Sequence, residues 1–201
     1  MASINLSTIL HDVRVILDQN AEGYDVAGVG EYTLEMDDVI RQQIIPAVQW
    51  AHMNAPLGRL HGTNMSATVS GGKVALPADF MRLISLKLAN WQRAVSTFIT
   101  EDDPQVSVIL SDYAGLRPTA NKPVVVFREE GGTSYLMPYP ADAGAVTARY
   151  IPRPQITGSD DSAAIDIEPA VYQAFLYYLA HLVKQSYNEE SKFAEQAMAM
   201  L

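Results

Sequence analysis

The 201-residue sequence contains no cysteine. Disulfides, thiolate metal sites and a cysteine nucleophile are therefore excluded. The same absence fits a reducing cytoplasm without requiring one. No apolar run approaches the roughly 20 residues that span a bilayer, so no membrane partner is expected. The first ten residues carry no basic stretch, and no signal peptide is expected. HExxH, GxxxxGK[ST] and GxSxG are all missing. No repeat or low-complexity tract interrupts the chain. The expectation is a protein with no catalytic residue, no metal and no cofactor.

Positive charge is scarce: 14 basic residues face 23 acidic ones, a net charge of −9. The imbalance is local. Residues 1–66 hold 3 basic and 8 acidic side chains, residues 67–152 hold 8 of each, and residues 153–201 hold 3 and 7. An acidic surface repels phosphates and gains nothing from counterion release, which argues against sequence-specific nucleic-acid binding. A basic protein partner, or a surface to which DNA must not adhere, stays open. Hydrophobic residues make up 48% of the chain, enough to build a core for one large domain or a core with one insertion.

Leu6, Ile9, Leu10, Val13 and Leu17 recur at helical spacing and predict an amphipathic first helix. Gly23, Gly28 and Gly30 mark residues 20–31 as a loop. Thr33 reads as the N-cap of a second helix, with Glu35, Asp37 and Asp38 suited to its first turn. Pro46 should kink or split that helix near Ile45.

The period then changes. Residues 67–69 and 73–76 flank Gly71-Gly72, a hairpin signal. A strand is expected over 81–88, with Ile84, Leu86 and Leu88 on one face and Ser85 and Lys87 on the other. Another is expected within 91–100, and a helix over 104–113 capped by Asp102 or Asp103. Residues 124–128 and 133–137 flank Glu130-Gly131-Gly132, a second hairpin, and 145–151 supply one more strand. Residues 153–164 read as a polar connector.

Pro169 opens the most apolar helix of the chain. Val171, Phe175, Tyr178 and Leu182 form one stripe, and Tyr172, Leu176, Leu179 and Val183 a second beside it. Such a helix must be covered on more than one side. The two N-terminal helices are expected on one side and an identical neighbouring subunit on the other. A last helix is expected after Asn188, ending in Met198, Met200 and Leu201. Trp91, Tyr172, Leu176, Leu179, Val183, Phe193, Met198, Met200 and Leu201 are thus the candidate subunit or partner interface. The fold class is α+β. A helical bundle from the N- and C-terminal helices (1–66 and 153–201) carries an inserted antiparallel β-rich region (67–152).

Other chemistry has plainer readings. His11, His52, His61 and His181 lie in no ligand spacing and read as structural. The acidic pairs Asp37-Asp38, Asp160-Asp161 and Glu189-Glu190, and the run Glu101-Asp102-Asp103, sit at helix starts or in loops as caps and solvated charge. Trp50, Trp91 and the ten tyrosines read mainly as core.

The stretch Leu76-Pro77-Ala78-Asp79-Phe80-Met81-Arg82-Leu83-Ile84-Ser85-Leu86-Lys87-Leu88, followed by Trp91-Gln92-Arg93, resembles head-to-tail adaptor subunits of tailed phages. These include the tail-tube A proteins of short-tailed phages and the connector ring proteins of crAss-like phages. Asn121-Lys122-Pro123-Val124, Tyr150-Ile151-Pro152-Arg153-Pro154 and Ile165-Asp166-Ile167-Glu168-Pro169 are similar to later elements of the same pattern, in order, so that the likeness runs from about Thr33 to Tyr187. The resemblance implies a structural virion subunit without a reaction. It implies a ring, typically dodecameric, under the portal at the head-tail junction, with the C-terminal segment reaching toward the portal. Its partners would be itself, the portal protein and a tail or further ring protein, with DNA passing through the lumen. Other readings are another neck or minor tail protein, a ligand- or glycan-binding module using Trp91 and tyrosines, and a hydrolase built on residues such as Asp37 or Asp103.

Overall fold

The computed structural model describes residues 2–19, 29–111, 113, 115–159 and 162–201. In chain order its elements are β1 (Ala2–Asn5), α1 (Leu6–Gln19), α2 (Val29–Asn54), β2 (Thr63–Thr68), β3 (Val74–Ala75), β4 (Phe80–Leu88), β5 (Ile99–Thr100), α3 (Pro104–Ile109), β6 (Val124–Glu130), β7 (Thr133–Tyr139), β8 (Ala145–Pro152), β9 (Ile156–Thr157), β10 (Ala164–Ile167), α4 (Tyr172–Ser186) and α5 (Phe193–Met200). Single 3-10 turns lie at Leu57–Arg59 and Pro169–Val171. The mixed α+β class, with helices from both chain ends, agrees with the sequence. Two compact units divide the chain: Met1–His61 with Arg153–Leu201, and Gly62–Pro152. No helix among the described residues is long and apolar enough to cross a membrane.

In the first unit, α4 packs against α1, α2 and α5. The predicted stripe of α1 is buried, joined by Ile16. Helix α2 departs from expectation twice. It begins at Val29, so Thr33 lies inside it; a capping preference worth about 1 kcal/mol does not stop a helix from extending upstream. Residues 29–31 are thus helical where a loop was expected, and the rest of that segment, 20–28, lies outside the described residues. The helix also runs unbroken through Pro46. The missing backbone bond costs about 3 kcal/mol. It is offset by full burial of Ile40, Ile44, Ala47, Val48 and Ala51 on the side that meets α4. Trp50 of α2 stacks flat on Tyr178 of α4, ring centroids 3.9 Å apart.

Helix α4 ends in a Schellman turn. Asn188 takes the left-handed conformation (φ 57°), its N–H donates to Gln185 O at 3.0 Å, and Glu189 N–H donates to Lys184 O at 3.0 Å. That turn sends α5 back along α4, where Phe193 and Ala197 are buried. Arg59 Nη1 donates to Met200 O at 2.7 Å, capping the end of α5.

The connector read over 153–164 contains β9 and the first residue of β10, which form an antiparallel sheet in the order β1-β10-β9. Strands of two to four residues carry too little alternation to be seen in a sequence.

The second unit holds two sheets, β2-β8-β4 and β3-β7-β6-β5, antiparallel throughout except for β5 beside β6. The hairpin at Gly131-Gly132 closes as expected, with Glu130 opposite Thr133. Gly71-Gly72 also makes its turn, with φ of 57° and 76°. It joins only Ser70 to Lys73, because β2 pairs with β8 and β3 with β7. Strand β2 itself starts at Thr63, four residues before the expected period change.

In β4 the pairing with β8 slips at Ile84, which no partner opposes. This bulge puts Leu83 on the buried face with Leu86 and Leu88 and moves Ile84 off it. The strand expected over 91–100 shrinks to β5 and a single bridge from Val95 to Leu86. Asp103 caps α3, accepting from Gln105 N–H at 2.8 Å; the helix stops at Ile109, four residues short of expectation.

Gly62 has φ +60°, and a Cβ there would lie 2.5 Å from Tyr150 O and 2.4 Å from Ile84 Cδ1. Gly131 shares the φ but faces open space. Gly131→Ala should therefore cost about 1–2 kcal/mol from backbone strain alone. Gly62→Ala should cost clearly more, because the Tyr150 carbonyl must also shift. Urea unfolding midpoints of the two variants check this.

Candidate interaction surfaces

The structure places most of the predicted interface residues inside the chain. Leu176, Leu179 and Val183 are buried on α4, and Phe193 is buried where α5 meets it. Tyr172 is half-buried, and its hydroxyl donates to Asp12 Oδ2 at 2.7 Å. Burial and that carboxylate both push the phenol pKa up, so it stays a neutral donor. The chain's own α1, α2 and α5 thus cover the helix for which the sequence called in a neighbour. An apolar circumference shows that a helix will be covered; it does not show by which chain. Trp91 is 2% exposed, and its indole N–H donates to Pro140 O at 2.9 Å. Met198 and Met200 differ: they are 55% and 38% exposed, and Leu201 beside them is half-buried.

Two further surfaces were not legible as sites. Val108, Leu110, Tyr113 and Leu116 are all exposed and follow one another within one stretch of the second unit. Helix α3, at its start, fully buries no residue and leaves Val106 and Ile109 half-buried. Beyond it, a cleft of about 460 Å³ lies beside β2, lined by residues including Ser66, Thr68, Ala75 and Tyr135. The first stretch was expected only as a helix over 104–113, and the cleft had no signal.

His52 and His61 meet the buried Glu168 of the first unit, while His11 is exposed on α1. Glu168 is 0% exposed; its Oε1 accepts from His61 N–H at 2.9 Å, and His61 Nδ1 lies 3.2 Å from Oε2. Glu168 N–H donates to His52 Nε2 at 3.3 Å, which places the ring proton on Nδ1. His181 Nδ1 lies 2.8 Å from Ser191 Oγ and so helps fold the turn before α5. Among the acidic groups, Asp37 pairs with Arg14 and Asp103 caps α3, while Asp160-Asp161 lie outside the described residues. No group of three or more His, Asp or Glu side chains among the described residues is placed to hold a metal ion.

Residues 4–201 match the family model described as SU10 adaptor protein. The match covers nearly the whole chain and bears out the resemblance to phage head-to-tail adaptors. No curated protein matches the chain.

Burial pushes the His52 imidazole down from 6.5 to about 4, against an opposing pull from Glu168. Its stabilising contribution is complete above pH 6.5. It is lost as pH falls toward 4, because the unfolded chain takes up the proton first. The loss should reach about 3 kcal/mol, at about 1.4 kcal/mol per unit. His52→Gln, with no proton to gain, should flatten unfolding free energy against pH across that window, measured by chemical denaturation.

Proposed function

Taking as premise that the chain belongs to the SU10 adaptor protein family, and so is a structural component of a phage virion, we propose that it forms an oligomeric ring at the head-tail junction. The ring joins the portal protein to the tail or to a further ring protein, and DNA passes through it without specific binding. The family match carries this reading. The order of motifs shared with tail-tube A proteins and crAss-like ring proteins supports it.

Charge supports the lumen. Residues 62–66 carry no charged side chain, so the first unit holds the whole net charge of −9 while the second is neutral. An acidic wall lets a polyanion slide without adhering. The C-terminal end supplies the docking surface for the portal: Met198 and Met200, with Leu201, are apolar, adaptable and outward-facing on a helix whose other side is fixed. A glycan-binding role for Trp91 is disfavoured, since the ring is buried and its N–H is engaged. The reading requires no catalytic step.

Negative-stain images of the purified chain should show rings, or caps on added portal protein; a monomer indifferent to portal would contradict the proposal. Met198→Lys with Met200→Lys should leave the melting temperature unchanged, because both side chains are exposed. The pair should weaken portal binding by about tenfold or more, as expected when roughly 1.4 kcal/mol of apolar burial is lost.

A further inference from the structure

The chain holds eight methionines and no cysteine, so thioethers are its only sulfur groups. Their exposure differs. Met65 is 6% exposed, inside the apolar cluster of the second unit. Met36, Met81 and Met137 are half-buried. Met53, Met198 and Met200 are 50%, 55% and 38% exposed, and all three belong to the first unit. Met53 stands on the last turn of α2, and Met198 and Met200 on the last turn of α5. These two helix ends are tied together. Arg59 closes the 3-10 turn that follows α2, and its Nη1 donates to Met200 O at 2.7 Å. The exposed methionines among the described residues therefore gather where α2 and α5 end.

The anchoring of α5 does not use these sulfurs. Phe193 and Ala197 are buried where the helix meets α4, and Met200 is held through its backbone carbonyl. A chemical change at either sulfur alters the surface and leaves those contacts in place. Methionine suits an adaptable apolar contact because its thioether is flexible and polarizable. The same sulfur is readily oxidised. Its lone pair attacks hydrogen peroxide and forms an S–O bond as the O–O bond breaks. The second oxygen leaves as hydroxide and takes up the proton to become water, so the thioether is oxidised to a sulfoxide and the peroxide is reduced. The sulfoxide oxygen is a polar acceptor that an apolar counter-surface cannot satisfy. No thiol in the chain competes for the oxidant.

We propose that Met53, Met198 and Met200 form an oxidation-controlled docking surface, which binds the portal protein when the thioethers are reduced and fails to bind once a peroxide has converted them to sulfoxides. The inference rests on the portal-docking reading given above and extends that surface to Met53. Control acts on free copies, because a docked partner covers the sulfurs. It is reversible, since methionine sulfoxide reductases return the sulfoxide to the thioether. The buried Met65 takes no part, because oxidising it requires the second unit to open.

The test treats the full chain with dilute hydrogen peroxide and maps the added oxygen by peptide mass spectrometry. Sulfoxide should appear first at Met53, Met198 and Met200 and last at Met65, following exposure. The chain oxidised at those three positions should keep its melting temperature and bind portal protein more weakly by about tenfold or more. Methionine sulfoxide reductase should restore binding. Portal protein added beforehand should protect the three methionines from peroxide. A triple variant, Met53→Leu with Met198→Leu and Met200→Leu, keeps the surface apolar and should bind portal equally before and after treatment. An untreated chain indifferent to portal overturns the docking reading, and the switch with it. An untreated chain that binds, beside an oxidised one that binds as well, overturns the switch and leaves docking standing. Loss of binding by the treated triple variant, or a fall in melting temperature on oxidation at the three positions, also overturns the switch. Methionines that portal leaves open to peroxide are removed from the docking surface.

Discussion

The first unit must close across an excursion. Its helices come from Met1–His61 and Arg153–Leu201, and residues 62–152 intervene. Bringing the ends of such a segment together carries an entropic cost of about 4 kcal/mol from the length-dependent part alone. The contacts that meet this cost join early residues to late ones. The β1–β10 ladder pairs Ala2–Asn5 with Ala164–Ile167, Trp50 stacks on Tyr178, and His61 N–H holds the buried Glu168 carboxylate. Glu168 stands immediately before Pro169, where the chain turns toward α4, and His61 is the last residue before the excursion begins. A carboxylate removed from water costs several kcal/mol unless it is held by donors, which is why this pairing ties the strand, the turn and the helix into one arrangement.

How much of this was legible in the sequence depended on the range of the interaction. The Gly131-Gly132 hairpin was, because turn chemistry and both strands lie within a few residues. The Gly71-Gly72 turn was also legible, but its strands were not, since β3 finds its partner 60 to 62 residues away in β7 and β2 finds its own 77 to 87 residues away in β8. The bulge at Ile84 broke a face assignment that simple alternation predicts. Pro46 misled because a local penalty was weighed without the burial around it. The candidate site shows the same limit. Leu176, Leu179 and Val183 were rightly read as residues that something must cover, yet the cover is intramolecular. What remains outside, Met198 and Met200, differs from them only in position on a helix whose neighbour was not known.

The two units also divide the physical work. The net acidic charge belongs wholly to the helical unit, where carboxylates serve as partners to Tyr172, Arg14 and His61 as well as to solvent. The β unit is neutral, has open strand edges and exposes apolar side chains around α3. One unit repels polyanions and the other is suited to contact with protein.

The place of α4 in the chain bears on biosynthesis. It is the helix against which α1, α2 and α5 all pack, yet it leaves the ribosome after the whole of residues 62–152. Until then Ile40, Ile44 and Val48 of α2 lack the surface that buries them, whereas the β unit already has all its strands. A prematurely terminated product would therefore present a finished β unit on an unfinished helical one. Such a fragment would leave uncovered the face of α2 that meets α4 in the complete chain.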